Sequence, residues 1–122
     1  MSYAQNTIFI VEDEPELAFM LENMLKKKGY HAKAFTSKDQ FEKAIKVIRP
    51  TAIITDLRLG VDLGMDLIKD LTGPYPGIPV FVISGFLTKD IEDELDKLNV
   101  NQIFSKPFDI DQLLENVTET II

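Results

Sequence analysis

Thr7-Ile8-Phe9-Ile10-Val11-Glu12-Asp13-Glu14-Pro15 sets an unbroken apolar run directly against three carboxylates and a proline. Such a run is the composition of a strand buried on both faces, as in a parallel sheet, and the proline suits the first turn of a helix that follows. Three more short runs end in the same abrupt way. Ile53-Ile54-Thr55 stops at Asp56, Val80-Phe81-Val82-Ile83 at Ser84, and Ile103-Phe104-Ser105 at Lys106. In an open parallel sheet the carboxyl ends of the strands lie along one edge, and ligands bind where the strand order reverses. Residues far apart in the chain are therefore expected to meet in one crevice.

Between these runs the spacing is helical. Leu17, Met20, Leu21, Met24 and Leu25 recur at i, i+3, i+4, i+7 and i+8 until Gly29, which puts Met20 and Met24 on a core stripe. A second, less apolar strand covers Tyr30 to Phe35. Ser37 with Gln40 is a capping-box signal for a helix through Phe41, Ala44, Ile45 and Ile48, ended by Arg49-Pro50. The third strand is expected over Ala52 to Asp56. A loop through Gly60 to Gly64 then leads into a helix carrying Met65, Ile68 and Leu71.

Thr72 to Gly77 is turn-rich and enters a fourth strand at Pro79 to Ser84. The fourth helix, Thr88 to Leu98, has a thin apolar stripe of Ile91, Leu95 and Leu98 and an acidic remainder. A fifth strand at Gln102 to Ser105 precedes a last helix capped by Asp109, with Ile110, Leu113, Leu114, Val117 and Ile121 on one face. Five strands and five helices in strict alternation predict an α/β fold. The expected architecture is a flavodoxin-like doubly wound parallel sheet of order 2-1-3-4-5.

Composition narrows the function classes. A chain of 122 residues, 45% of them apolar, suits one compact domain over residues 1–122. There is no cysteine, so disulfides, thiolate metal sites and a cysteine nucleophile are excluded, as a reducing cytoplasm permits. No stretch approaches the roughly 20 apolar residues of a membrane span, and Met1 to Asn6 lacks the features of a signal peptide. A cytoplasmic protein with no membrane contact is the expectation. The net charge of −7 argues against direct nucleic-acid binding. The basic cluster Lys26-Lys27-Lys28 sits at a helix end, where it complements the dipole, and His31 has no His or Cys partner and reads as a surface strand residue.

In the 2-1-3-4-5 order the reversal falls between the first and third strands, so Glu12, Asp13, Glu14 and Asp56 face one crevice. Carboxylates sharing a site repel one another unless a cation or a proton relieves them. An all-oxygen cluster suits Mg2+, with Mn2+ as a substitute. With Glu12, Asp13, Asp56 and Lys106 all ionised, two negative charges are left over, which a divalent ion neutralises. A carboxylate can attack phosphorus to form an aspartyl phosphate while Mg2+ and a lysine offset charge on the transferred oxygens. Ser84 is placed to donate a hydrogen bond to one of them.

These residues reach a known family. The whole chain resembles the receiver domain of bacterial two-component response regulators, through Glu12-Asp13 after the first strand, Asp56 after the third, Ser84 in the family's Ser/Thr position, and Lys106-Pro107-Phe108. The resemblance implies that Asp56 is the phosphoacceptor. Asp13 would be the main Mg2+ ligand, with Glu12 acting directly or through water, and Asp56 and the backbone carbonyl of Arg58 completing the protein ligands. Ser84 would bind the phosphoryl group and drive the switch, Lys106 would clamp its charge, and the Lys106-Pro107 bond would be cis.

The implied donor is a histidine kinase or a histidine phosphotransfer protein. A downstream protein or a second receiver would bind the face made by the fourth helix, fifth strand and fifth helix. Such a module is not an enzyme beyond its own phosphorylation and dephosphorylation, and no output domain is expected after the last helix. It is either a stand-alone regulator or a receiver from a longer protein.

Three positions depart from the family pattern. Glu12 replaces the commoner Asp, Gly60 stands where a proline is usual, and Ile103 occupies the place of the aromatic switch residue. Phe104 is adjacent, but in a strand it points to the other face. Arg58 and Phe86 fall at the two positions that tune dephosphorylation, and their bulk implies a slow loss of phosphate. The competing reading is a Mg2+-dependent phosphohydrolase with an Asp nucleophile, which generally places a DxD pattern after the first strand, where Asp13 is instead followed by Glu14 and Pro15. Flavin binding, a third reading, needs a Gly/Ser/Thr-rich loop where the acidic triplet stands.

Overall fold

The computed structural model describes residues 6–59, 62–63, 68–69, 75, 77–85, 87–98 and 100–121. Strand and helix alternate as Thr7–Val11 (β1), Pro15–Lys27 (α1), His31–Phe35 (β2), Lys38–Ile45 (α2), Ala52–Asp56 (β3), Val80–Ser84 (β4), Lys89–Lys97 (α3), Gln102–Ser105 (β5) and Ile110–Thr120 (α4). A short antiparallel hairpin pairs Arg58–Leu59 with Asp62–Leu63 just after β3. The five long strands form one parallel sheet of order β2-β1-β3-β4-β5, the doubly wound order expected from the alternation. The expected third helix has Met65 and Leu71 outside the described residues, and so do Gly60 and Gly64 of the loop before it.

Every residue of β1, β3 and β4 is buried, as continuous apolar runs demand when helices cover both faces. Alternate side chains divide the core. Ile8, Ile10, Ile54, Phe81 and Ile83 pack with Leu21 and Leu25 of α1 and Leu113, Leu114 and Val117 of α4. On the opposite face Phe9, Val11 and Ile53 meet Phe35, Phe41 and Ile45, and Val80 and Val82 meet Leu57, Ile68 and Leu95. The rings of Phe9, Phe35 and Phe41 contact edge to face at centroid separations of 5.1 to 6.0 Å, a geometry the ring quadrupole favours.

Caps set the helix starts. Ser37, Thr88 and Asp109 each accept, through a side-chain oxygen, from the backbone N–H three residues on, at 3.2 to 3.3 Å. Two expectations need correction. The second helix stops at Ile45, not at Ile48, because Val47 N and Ile48 N both donate to Ala44 O in a tight turn ahead of Pro50. Met20 is 42% exposed beside a half-exposed Phe19, so it is not a core residue. The buried residues of α1 are Ala18, Leu21 and Leu25, and Met20 lies one step of about 100° round the helix from Leu21, on the far side from Ala18. Met24 is partly buried and packs against the core.

Candidate functional site

Each strand end that bears a polar residue is prolonged by one backbone hydrogen bond beyond the regular pairing. Glu12 N donates to Phe35 O at 3.0 Å, Leu57 N to Ile83 O at 3.0 Å, and Lys106 N to Ser84 O at 2.7 Å. The first ties the end of β1 to β2 and the other two tie β3 to β4 and β4 to β5, while the pairing of Val11 with Thr55 sets the end of β1 beside that of β3. Glu12, Asp56 and Ser84 are thereby buried at the strand ends, whereas Asp13 is exposed. Just past β5 the Lys106–Pro107 peptide is cis.

The ammonium of Lys106 reaches across this edge to three carboxylates. Its Nζ lies 2.8 Å from Asp56 Oδ2, 2.9 Å from Glu12 Oε1 and 3.6 Å from Glu14 Oε1. The second oxygen of Glu12 accepts from Glu14 N at 2.9 Å, which fixes the orientation of the carboxylate. Behind the site the buried Thr55 hydroxyl donates to Asp56 O at 3.0 Å. One carboxylate oxygen from each of Glu12, Asp13 and Asp56 falls within 4.8 Å of the others, with Asp13 the exposed member.

Burial pushes the Glu12 carboxyl up from its ordinary 4.5 to about 7, an effect that the hydrogen bonds from Glu14 N and Lys106 reduce and the neighbouring Asp56 charge reinforces. For Lys106 burial works against the charged form, yet the hydrogen bonds to Asp56 and Glu12 outweigh it and hold the ammonium above its usual range. The lysine is charged throughout the physiological range. A proton on Glu12 and a cation near it are thus alternative ways of relieving one excess of negative charge. Three hard oxygen donors spaced to surround a single small ion fit Mg2+, which takes few carboxylates and keeps several waters.

Asp56, Glu12 and Lys106 are in direct contact, and Asp13 lies beside them. Ser84 sits at the end of the neighbouring strand, paired in register with Ser105. Arg58 opens the short hairpin two residues after Asp56, while Phe86 lies outside the described residues. Ile103 pairs with Val82 and packs on the face that holds Leu95, and Phe104 packs on the opposite face with the α1 and α4 residues. The contact from Glu14 to Lys106 was not legible in sequence. Its only signal is that Glu14 occupies the N-cap of α1, a position where a side chain usually bonds the helix, and makes no such bond.

The profile of the response regulator receiver domain matches residues 8–118. The nitrogen assimilation regulatory protein NtrX of Azorhizobium caulinodans is 30% identical over 119 residues, which cover 93% of this chain and 26% of that protein. The chain thus spans about a quarter of the length of such relatives. Among solved structures, a CheY-like response regulator receiver domain protein from Methanospirillum hungatei aligns with a TM-score of 0.90 at 18% identity, covering 98% of this chain and 94% of that one. A response regulator from Burkholderia pseudomallei, solved with a phosphorylated aspartic acid, a calcium ion and citrate, aligns with a TM-score of 0.83 at 24% identity, covering 94% and 70%. No helix among the described residues is long and apolar enough to cross a membrane.

Proposed function

The chain belongs to the response regulator receiver domain family, a family of phosphoacceptor signalling domains, and from that premise we propose that Asp56 is its acceptor. The observation that carries this reading is the placement of Lys106 Nζ 2.8 Å from Asp56 Oδ2 and 2.9 Å from Glu12 Oε1, at the edge where the strand order reverses. In the reaction an Asp56 carboxylate oxygen attacks the donor phosphorus. The bond from phosphorus to the donor nitrogen breaks, and that nitrogen keeps the electron pair and holds a proton. Lys106 moves its hydrogen bonds from the carboxylates to the phosphoryl oxygens, and Ser84 donates to one of them.

Asp13, Glu12, Asp56 and the backbone carbonyl of Arg58 would hold Mg2+, or Mn2+ in its place. The ion supplies charge neutralisation as negative charge gathers on the phosphoryl oxygens. The donor is a histidine kinase or a histidine phosphotransfer protein. Residues 1–122 act as one receiver unit. Its phosphorylation changes the affinity of the α3, β5 and α4 face for a downstream protein or a second receiver, without the chain itself contacting nucleic acid. The solved Burkholderia neighbour carries a phosphorylated aspartate and a divalent cation together, which supports the same pairing here. Long or bulky residue types at the two positions that tune dephosphorylation, Arg58 and Phe86, are the basis for expecting slow phosphate loss, with Phe86→Ala shortening the lifetime.

Incubation with Mg2+ and a small acyl phosphate, followed by intact mass measurement, tests the assignment. One phosphoryl group is expected on the wild type and none on Asp56→Asn or without a divalent ion. Labelling that survives Asp56→Asn overturns it, and continuous turnover of a phosphoester would favour a phosphohydrolase.

A further inference from the structure

We propose that Glu14 is a positioning residue that competes with the incoming phosphoryl group for the Lys106 ammonium and so sets how readily the site becomes occupied. The inference rests on Asp56 as acceptor and adds a residue that the acceptor chemistry does not itself require. Lys106 Nζ has three carboxylate neighbours, Asp56, Glu12 and Glu14. The first two belong with Asp13 to the oxygen cluster suited to a cation, and Glu14 does not. A divalent ion on that cluster weakens the hold of Glu12 and Asp56 on the ammonium. Glu14 is then the carboxylate still facing it.

Local structure gives Glu14 the freedom for this role. Its backbone N–H is anchored on Glu12 Oε2 at 2.9 Å, so the residue cannot drift from the site. Its side chain caps nothing, is 66% exposed and turns toward Lys106 at 3.6 Å. Phosphoryl oxygens on Asp56 draw on the same ammonium, so occupancy of the site competes with the ion pair to Glu14. An exposed ion pair of this kind has a modest strength, equivalent to about a two- to fivefold change in an equilibrium. Glu14 is a tuning device and not an obligatory part of the site.

The test is equilibrium binding of beryllofluoride, a non-covalent phosphoryl mimic, to the Mg2+-loaded chain, followed by 15N chemical shifts. E14Q removes the charge, and E14D keeps the charge on an arm one methylene too short to reach Lys106. Both are expected to tighten binding about two- to fivefold, with a smaller difference at high ionic strength. Tightening by E14Q alone would mean that Glu14 acts by its field and not by holding Lys106, and would overturn the proposal. No change in either variant would overturn it as well. Thermal midpoints do not discriminate a structural role here, but the split between E14Q and E14D does. Failure of the underlying reading looks different: the wild type would bind no beryllofluoride, or Asp56→Asn would bind it equally well, and the role of Glu14 would fall with the acceptor.

Discussion

Lys106 holds together two carboxylates that the sheet has taken out of water, since Glu12 is fully buried and Asp56 is 4% exposed. Removing one partner of a buried ion pair leaves the other uncompensated, at a cost of about 3–5 kcal/mol. The lysine side chain is itself 20% exposed, so Lys106→Met should lie below that range, at about 2–3 kcal/mol near pH 8. At pH 6 the loss should shrink, because Glu12, pushed up to about 7, then carries a proton and no longer needs the ammonium. Urea unfolding at the two pH values checks this, and equal losses would contradict it. Residues at the ends of apolar runs, such as Asp56 and Lys106, were legible in sequence because the edge of a parallel sheet gathers them whatever the loops do. Which carboxylates a long lysine side chain reaches was not, since the contact between Glu14 and Lys106 spans 92 positions and depends on how β1 and β5 sit across the sheet. Met20 shows the same limit. The helical period gives the angles between residues, but the centre of the buried stripe is set by the small Ala18, which lets α1 approach the sheet.

At the scale of elements, the sheet edge at β2 is guarded by a helix. Glu22 of α1 accepts from Ala34 N at 2.6 Å through one carboxylate oxygen and pairs with Lys26 at 3.2 Å through the other. An edge strand otherwise offers its outward N–H groups to any other strand. Hydrogen bonds to charged groups contribute about 1.5–3 kcal/mol, so Glu22→Ala should lower stability by roughly 1.5 kcal/mol in urea unfolding. Glu22→Gln, which still accepts, should lose less, and a loss as large as that of Glu22→Ala would show that a neutral acceptor does not hold the Ala34 N–H. The bounds of β1, β3 and β5 were legible because each apolar run gives way to polar residues at the sheet edge. The second helix was read too long because Ile48 does pack against the core, but from a turn and not from the helix. Along β5 the alternation was legible and consequential. Ile103 and Phe104 do lie on opposite faces, so the ring of Phe104 cannot stand in for an aromatic residue at Ile103.

At the scale of the whole molecule, the buried strand ends link folding to proton binding, and a cation held by the same carboxylates would join that equilibrium. In the metal-free chain Glu12 titrates near 7 when folded, against 4.5 as its ordinary value, because burial disfavours its charge. Between those two values the folded state keeps a proton that the unfolded state has lost. The stabilising contribution is therefore complete below about 4.5 and disappears as the pH rises through about 7. The raised affinity of Lys106 for its proton contributes a constant stability below its ordinary value of 10.5, lost only above it, and so leaves the pH dependence in this window untouched. The excess of negative charge, −7 over the chain, adds repulsion in the same direction, so Glu12→Gln is needed to isolate the local part. Thermal unfolding without metal should show a midpoint that falls from pH 5 to pH 8, with a shallower fall for Glu12→Gln. A cation binding among Glu12, Asp13 and Asp56 competes with that proton, and anything that binds only the folded state raises its stability by mass action. Saturating Mg2+ should thus raise the midpoint more at pH 8 than at pH 6. Calorimetric titration near pH 6.5 in two buffers of different ionisation enthalpy should reveal proton release on Mg2+ binding that Glu12→Gln abolishes. A metal effect that is larger at pH 6, or binding without proton release, would mean that the cation and the buried carboxyl of Glu12 do not share one site.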